Sequence, residues 1–320
     1  MTMHALHWDG HTLRVQAAYP IPQATEDTAV VRVCLAGVCS TDLQILKGYM
    51  AFEGVPGHEF VGEVHAGPSE LMGKRVVGEI NFACGRCEPC LRGMARHCPT
   101  RQVMGILGAD GSFAEYMAVP VANLHPVPDS ISDEEAVFTE PLAAAFEILE
   151  QIHVKPGTEA IIFGDGKLGL LCAFVLQENG ARVTVVGRHD KKLELVRKAG
   201  VQGVQLADWR PRQADLVVEA TGSSAGLKLA IETVRPRATL VLKSTLAEEH
   251  TLSLAPLVIN EVTVVGSRCG PFPPALQALS HKHVPVSSLI EAAYPLADGI
   301  QAVNHAAQHG ALKVLLRNTY

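Results

Sequence analysis

Four cysteines lie close together in the stretch NFACGRCEPCLRGMARHCPT, residues 81–100. Cys84, Cys87, Cys90 and Cys98 follow the spacing C-x2-C-x2-C-x7-C. Such short spacings let one loop present four thiolates to a tetrahedral ion, and zinc is the usual occupant. An iron–sulfur cluster also uses four cysteines, so the spacing leaves that alternative open. Because four thiolates leave no free coordination position, we expect this site to stabilise structure and not to carry catalysis.

A second candidate site is the glycine pattern FGDGKLG, which has the form G-x-G-x-x-G. It stands between an apolar run that predicts a strand and a run that predicts a helix, the context of a dinucleotide-binding turn. The first glycine makes the tight turn, the second lets a pyrophosphate approach the backbone, and the third lets helix and strand pack closely. The predicted cofactor-binding residues of this turn are Gly164, Gly166, Lys167, Leu168 and Gly169. A glycine-rich turn without a ligand is the alternative.

The end of the next strand indicates which dinucleotide binds. NAD-binding folds place an acidic residue there, about 20 residues after the glycines, whereas NADP-binding folds accommodate the 2′-phosphate with arginine. In VTVVGRHDKK, Gly187 takes the acidic position and Arg188 follows it. We therefore predict a preference for NADP, with NAD possible; the alternative is that these charges belong to the solvated first turn of a helix. Asp165, inside the glycine loop, is an unfavourable charge beside a pyrophosphate, and no sequence feature accounts for it.

Hydrophobic patterns divide the chain into a β-rich part and an alternating part. Up to about residue 128, short β-type runs are punctuated by glycine and proline, which predicts an irregular all-β domain. Further along, apolar strands alternate with helices, which predicts a parallel doubly wound sheet. The predicted strands are 29–38, 60–67, 114–120, 159–164, 181–187, 214–222, 238–244, 261–267 and 312–317, and the predicted helices are 141–152, 167–180, 190–200 and 224–234.

Three separate stretches could supply a second metal site. GVCSTD contributes Cys39, GHEFVGEV contributes His58 with Glu59 beside it, and TEPLAAA contributes Glu140. A catalytic zinc takes three protein ligands and keeps a fourth position open for water or substrate. Spacing alone does not connect these residues, because a lone cysteine on an apolar strand is usually a core residue.

The motifs GVCSTDL, GHEFVGEV, the four-cysteine loop and FGDGKLG connect them through a family resemblance. In order and approximate spacing the chain resembles the zinc-dependent medium-chain dehydrogenase/reductase family, the alcohol and sorbitol dehydrogenase group, over essentially its whole length. The resemblance implies that Cys39, His58 and Glu140 bind a catalytic zinc ion and that the four-cysteine loop binds a structural one. Glu140 would stand where liver-type alcohol dehydrogenases have a cysteine.

The resemblance also implies the fold and its domains. The fold class is α/β, with a Rossmann doubly wound parallel-sheet domain plus a GroES-like β-rich catalytic domain. Residues 1–140 are expected to form the catalytic domain, with the structural zinc lobe at 81–100. Residues 141–267 are expected to form the NAD(P)-binding domain, and residues 268–320 to complete the catalytic domain.

Further roles follow from the same resemblance. Asp42 would orient the histidine ligand, Glu59 would be the glutamate next to the metal, and Arg268 would lie near the cofactor. Zinc lowers the pKa of a bound alcohol, so an alkoxide forms near neutrality and a hydride passes to the nicotinamide. Thr41 would relay the alcohol proton. Many relatives continue this relay with a histidine, but Gln44 cannot titrate, so the proton must leave by another route.

Composition excludes several other classes of function. The chain has 320 residues, of which 48% are hydrophobic and 19% charged, with a formal net charge of -6 and no long basic run. We therefore expect no nucleic-acid or membrane partner. No apolar segment approaches the ~20 residues of a bilayer span, and the first residues carry no leader pattern. We expect a cytoplasmic protein.

The sequence thus predicts a zinc-dependent oxidoreductase with two zinc ions per chain. It would transfer a hydride between an alcohol or polyol, or its carbonyl, and NADP(H), and we expect a homo-oligomer, a dimer or tetramer. The alternative is a non-catalytic dinucleotide-binding protein that keeps the structural zinc and acts as a redox sensor or interaction module. Metal analysis separates the two, because the alternative predicts about one zinc per chain.

Overall fold

The computed structural model describes residues 1–244 and 252–318. The chain divides into two compact units. Unit 1 consists of Met1–Glu140, Ala275–His281 and the residues from Ile290 onward, and unit 2 consists of Pro141–Pro274 and Lys282–Leu289. Among the described residues, no helix has both the length and the apolar character that crossing a bilayer requires.

The strands are β1 (Thr2–Trp8), β2 (Leu13–Pro20), β3 (Thr28–Val38), β4 (Glu59–Ala66), β5 (Arg75–Gly78), β6 (Asn81–Phe82), β7 (Gln102–Met104), β8 (Gly108–Ala109), β9 (Tyr116–Pro120), β10 (Leu124–Pro126), β11 (Glu159–Phe163), β12 (Arg182–Gly187), β13 (Gln202–Gln205), β14 (Ala214–Glu219), β15 (Val234–Leu242), β16 (Thr263–Gly266), β17 (Ile290–Pro295) and β18 (Lys313–Arg317). The α-helices are α1 (Ser40–Ile45), α2 (Glu88–Leu91), α3 (Asp133–Ala136), α4 (Thr139–Gln151), α5 (Lys167–Glu178), α6 (Asp190–Lys198), α7 (Ser224–Thr233), α8 (Ala255–Ile259), α9 (Phe272–Ser280) and α10 (Gly299–Ala306).

Unit 1 is built mainly of antiparallel β-structure. Its main sheet has the order β10-β5-β4-β3-β18-β17, and β9 also pairs with β3. Strands β3 and β4 are buried along most of their length, because valine, leucine and phenylalanine fill their inner positions. The runs predicted as strands at 29–38, 60–67 and 114–120 correspond to β3, β4 and β9, so the predicted β-rich first domain is confirmed.

Unit 2 is a doubly wound parallel sheet, as predicted. Its strands lie in the order β13-β12-β11-β14-β15-β16, and each neighbouring pair is parallel. Their apolar runs are nearly continuous because helices cover both faces of such a sheet. Phe163 of β11 meets Trp209 edge to face in the core, with ring centroids 5.7 Å apart. Strand β13 is absent from the predicted set, because its sequence QGVQ has a single large apolar residue to signal a strand.

Glycines allow the close approach of β11 and α5. Gly164 has φ +116°, a conformation that favours glycine. A Cβ on Gly169 would overlap the carbonyl oxygen of Gly164, so α5 packs on the turn only if residue 169 has no side chain. A Cβ on Gly166 would instead meet no atom within 4 Å.

We predict that Gly169→Ala lowers the free energy of unfolding by about 3 kcal/mol, because the methyl group must displace backbone atoms. Inside a helix alanine is normally more stabilising than glycine by about 1 kcal/mol. A lower free energy of unfolding would therefore identify the steric overlap with Gly164. The control Gly166→Ala should lose less than about 1 kcal/mol, the cost of a poorer N-cap. Urea unfolding followed by circular dichroism measures both; equal midpoints for the two variants would contradict the packing argument.

Candidate functional site

The pairing of β3 with β4 brings two predicted metal ligands together. The strands are antiparallel, with Gly37 opposite Glu59. Cys39 is the N-cap residue that follows β3, and His58 directly precedes β4, so both leave the sheet at the same end. Ligand atoms of Cys39, His58 and Glu59 lie within 4.8 Å of one another. Thiolate, imidazole and carboxylate are all ligands of zinc, so this group fits the ion.

Asp42 contacts both Cys39 and His58. Its Oδ2 accepts a hydrogen bond from the backbone N–H of Cys39 at 2.7 Å, and its Oδ1 lies 3.1 Å from His58 Nδ1. Burial alone would lower the pKa of His58, but the Asp42 carboxylate and Cys39 oppose burial and raise this pKa well above its usual value. With Nδ1 facing Asp42, the other ring nitrogen is left for a metal, the geometry expected of a residue that orients a ligating imidazole.

Glu59 is buried together with a lysine that the sequence analysis missed. Lys313, the first residue of β18, donates to Glu59 Oε2, and both side chains are 1% exposed. The Lys313 ammonium also lies 5.4 Å from the ring centroid of Phe138. Gly37 is required here, because a Cβ on it would overlap the Glu59 carboxylate. A lysine inside the apolar run LKVLLR was the sequence signal for a buried acidic partner.

The other predicted residues of this site are placed differently. Glu140 lies in the first turn of α4 and is half-buried. The three-residue group that the described residues form around Cys39 and His58 contains Glu59 and not Glu140. The hydroxyl of Thr41 is 3.8 Å from Cys39 Sγ, whereas the side chain of Gln44 is exposed. The structure therefore brings together Cys39, His58, Glu59, Asp42 and Thr41.

The four-cysteine loop forms a second group. The ligand atoms of Cys84, Cys87, Cys90 and Cys98 lie within 4.8 Å of one another. The backbone N–H of Cys84 and the hydroxyl of Thr100 each lie 3.5 Å from Cys98 Sγ. These contacts lower the pKa of Cys98 to about 6, which favours the thiolate that binds metal. Four converging sulfur atoms, one of which belongs to a thiol with a lowered pKa, fit a closed tetrahedral zinc site.

The glycine loop has the features that a bound pyrophosphate requires. It follows β11 at the carboxyl end of the sheet, next to the strand pair β11 and β14 where the strand order reverses. The open space in front of Gly166 is the space through which a phosphate could approach the backbone. Lys167 opens helix α5, and both it and Leu168 are half-buried. The loop fits a dinucleotide.

Asp165 joins this loop to the residues that follow β12. Its Oδ2 accepts hydrogen bonds from the backbone N–H groups of Arg188 at 2.8 Å and His189 at 2.6 Å, and the ring Nδ1 of His189 lies 3.0 Å away. Burial would raise the pKa of Asp165, but the backbone and ring of His189 outweigh it, so the pKa is lowered. The side chain of Arg188 itself is exposed.

A second buried lysine, which the sequence motifs also did not indicate, holds the two residues that follow β16. Lys243 donates to the carbonyl oxygens of Ala144 at 2.6 Å and Arg268 at 3.2 Å, and to Ser267 Oγ at 3.2 Å. The predicted cofactor residue Arg268 is exposed, and its backbone is held by this contact.

Family models match both parts of the chain. Residues 25–129 match the alcohol dehydrogenase GroES-like domain, and residues 168–281 match the zinc-binding dehydrogenase domain. The four-cysteine loop and the Cys39–His58 pair lie inside the first match, and most of the parallel sheet lies inside the second.

Individual relatives agree with these models. Sorbitol dehydrogenase of Halalkalibacterium halodurans is 30% identical, over 97% of this chain and 96% of its own. A zinc-binding dehydrogenase from Sinorhizobium meliloti 1021, solved with NADP bound, has a TM-score of 0.91 at 25% identity and 99% coverage of both chains. The alcohol dehydrogenase rspB of Escherichia coli CFT073, solved with NADH, has a TM-score of 0.89 at 26% identity, covering 98% of this chain and 99% of that one.

Metal-ligand clusters, the glycine loop, the two domain models and the full-length relatives thus agree. The chain belongs to the zinc-dependent medium-chain dehydrogenase/reductase family.

Proposed function

We propose that this protein is a zinc-dependent, NAD(P)-linked dehydrogenase that interconverts an alcohol or polyol with its carbonyl form. The observation that carries the proposal is the convergence of Cys39 and His58 beside the buried carboxylate of Glu59, with Asp42 in contact with both Cys39 and His58. Unit 1 is the catalytic domain in this proposal, and unit 2 binds the cofactor through the glycine loop.

The chain's own residues prepare the reaction. When bound, zinc would act as a Lewis acid on the substrate oxygen. Asp42 fixes the tautomer of His58 by holding a proton on Nδ1, and it fixes the backbone of Cys39 at the same time. The hydroxyl of Thr41 stands beside Cys39 and can accept the proton that the alcohol releases. Since Gln44 does not titrate, the proton leaves Thr41 through water or Glu59.

The third metal ligand is a carboxylate, and two candidates exist. Glu140 is the ligand that the family resemblance implies. The Glu59 carboxylate is nearer than that of Glu140 to Cys39 and His58, but one of its oxygens already accepts a hydrogen bond from Lys313. A carboxylate in a buried ion pair binds a metal only at the expense of that pair. We therefore propose Glu140 as the third ligand. The Glu59 carboxylate, paired with Lys313, would then lie beside the metal without binding it.

Sorbitol dehydrogenase among the relatives supports polyols as the substrate class. For the cofactor, relatives have been solved with NADP and with NADH, so the comparisons support either dinucleotide. The preference for NADP that Arg188 predicts stays a prediction. The four-cysteine loop supports a second, structural zinc, which makes two ions per chain.

Cys39→Ser should abolish turnover of polyols and leave the fold intact, because a neutral hydroxyl is a far poorer zinc ligand than a thiolate. Zinc content should fall from two ions per chain to about one. The control Cys34→Ser, half-buried on the same strand β3, should keep both ions and its activity. Assays with both cofactors and atomic absorption measure these quantities. A wild-type chain with one zinc and no turnover would instead support the non-catalytic alternative.

Glu140→Gln should remove the catalytic zinc and at least about 100-fold of kcat/KM, because the amide carries no charge to bind the ion. Glu150→Gln, an exposed position on the same helix α4, is the matched control and should behave as wild type. Retention of two zinc ions by Glu140→Gln would transfer the ligand role to Glu59.

Cys98→Ser should lose the structural zinc, keep the catalytic one, and lower Tm by about 5–10 °C, at roughly 2–4 °C for each kcal/mol lost. The same Cys34→Ser control should show a smaller change. Differential scanning calorimetry with metal analysis separates the two variants. An unchanged Tm together with two bound ions would exclude a structural metal in the four-cysteine loop.

A further inference from the structure

We propose that Asp165, inside the glycine loop, selects NAD(H) over NADP(H) by occupying the place where a 2′-phosphate would bind. The proposal rests on the proposed function only in that unit 2 binds a nicotinamide dinucleotide. It reverses the preference that Arg188 alone predicts, and it explains why β12 ends without an acidic residue.

The Asp165 carboxylate lies beside the last residue of a neighbouring strand. Asp165 belongs to the loop after β11, but its side chain reaches the end of the neighbouring strand β12. A Cβ built on Gly187, the last residue of β12, would lie 2.5 Å from both Cβ and Oδ2 of Asp165. The space that the side chain of residue 187 would fill therefore holds the carboxylate of residue 165. An acidic group stands where NAD-binding folds need one, but it is contributed by a different segment.

Two backbone hydrogen-bond donors converge on the Asp165 carboxylate. Successive backbone N–H groups that point to one spot bind anions. Here the N–H groups of Arg188 and His189 both point at Oδ2 of Asp165, at 2.8 and 2.6 Å. The protein already supplies the anion for this site. A 2′-phosphate would have to displace the carboxylate from both donors or remain without them.

The negative charge of Asp165 also disfavours a phosphate at this place. A phosphate monoester carries about -1.5 to -2 charges near neutral pH. The Asp165 side chain is only 10% exposed, and its lowered pKa keeps it ionised at neutral pH. A buried like charge would repel the phosphate, because water screens it less than it screens an exposed charge. The ribose 2′-hydroxyl of NAD, in contrast, can donate to Asp165 Oδ1, since a carboxylate oxygen accepts more than one hydrogen bond.

Arg188 opposes this effect but is the weaker partner. Its guanidinium is exposed, so water and salt screen its attraction for a phosphate, as for other surface ion pairs. Its backbone, moreover, is one of the two groups that hold Asp165 in place. The fixed and buried carboxylate therefore determines the preference, and Arg188 only moderates it.

The test is direct cofactor binding without substrate. NADH and NADPH are titrated into the zinc-loaded protein, and Kd is measured by isothermal calorimetry and by nicotinamide fluorescence. Wild type should bind NADH at least about tenfold more tightly than NADPH, the factor that one charge-assisted contact of about 1.4 kcal/mol provides. Asp165→Asn keeps the size and one acceptor oxygen but removes the charge. It should tighten NADPH binding and weaken NADH binding, so that the ratio of the two Kd values changes by about 100-fold.

Two further variants control the test. Asp190→Asn removes an equal charge from an exposed carboxylate at the start of α6, which pairs with Arg197, and should leave the ratio unchanged. Arg188→Ala should weaken NADPH binding and leave NADH binding within about twofold of wild type, because it removes only the screened exposed charge. Circular dichroism checks that each variant is folded.

The outcomes separate this proposal from the proposed function. Wild type that binds NADPH more tightly than NADH overturns the proposal without any variant, and so does an Asp165→Asn variant with an unchanged ratio. In either case the protein still binds a nicotinamide cofactor, and the proposed function stands. Failure of wild type to bind either dinucleotide would overturn both.

Discussion

The buried carboxylate of Asp42 is the constraint on which the proposed metal site depends. It accepts a hydrogen bond from the backbone of one proposed metal ligand, Cys39, and contacts the ring of another, His58. Because a buried imidazole and a buried carboxylate are each costly alone, the pair is stable only when both are present in contact. The contact also caps α1, since Asp42 is the third residue of that helix and accepts a hydrogen bond from the backbone N–H of its N-cap residue Cys39. Secondary structure and ligand geometry are therefore fixed by the same interaction.

The proposed metal site and the cofactor loop accommodate a buried carboxylate in the same way. Each contains a buried carboxylate that needs both space and a partner. At the metal site, Gly37 on β3 leaves room for Glu59, and Lys313 provides the positive charge. At the cofactor loop, Gly187 on β12 leaves room for Asp165, and backbone N–H groups with His189 provide the partners. In both cases the glycine and the acidic residue are on different segments, so neither explains the other when the chain is considered locally.

The distance in sequence between interacting residues also decides which features could be predicted from the sequence. The parallel sheet of unit 2 was predictable because its strands are apolar runs of the expected length, separated by helical patterns. The four-cysteine group was predictable because its members lie within one loop. The Cys39–His58 pair required a family resemblance, since only the register of β3 on β4 brings these residues together.

The contacts of Asp165 and Lys313 were beyond the sequence for a related reason. Each side chain is paired with a residue of a distant strand or loop, and its own neighbours in sequence do not identify that partner. Asp165 looked unfavourable because a pyrophosphate was the only neighbour that the motif implied. The hydrogen bonds to the end of β12 show that the carboxylate instead faces the adjacent strand.

The contact between Glu59 and Lys313 also orders events during synthesis of the protein. The two residues are 254 positions apart in the chain. While a ribosome is still translating the Rossmann segment, β4 has left the exit tunnel but β18 does not yet exist, so the Glu59 carboxylate has no counter-ion and favours contact with water. The main sheet of unit 1, which contains both strands, can therefore be completed only after most of unit 2 has been translated.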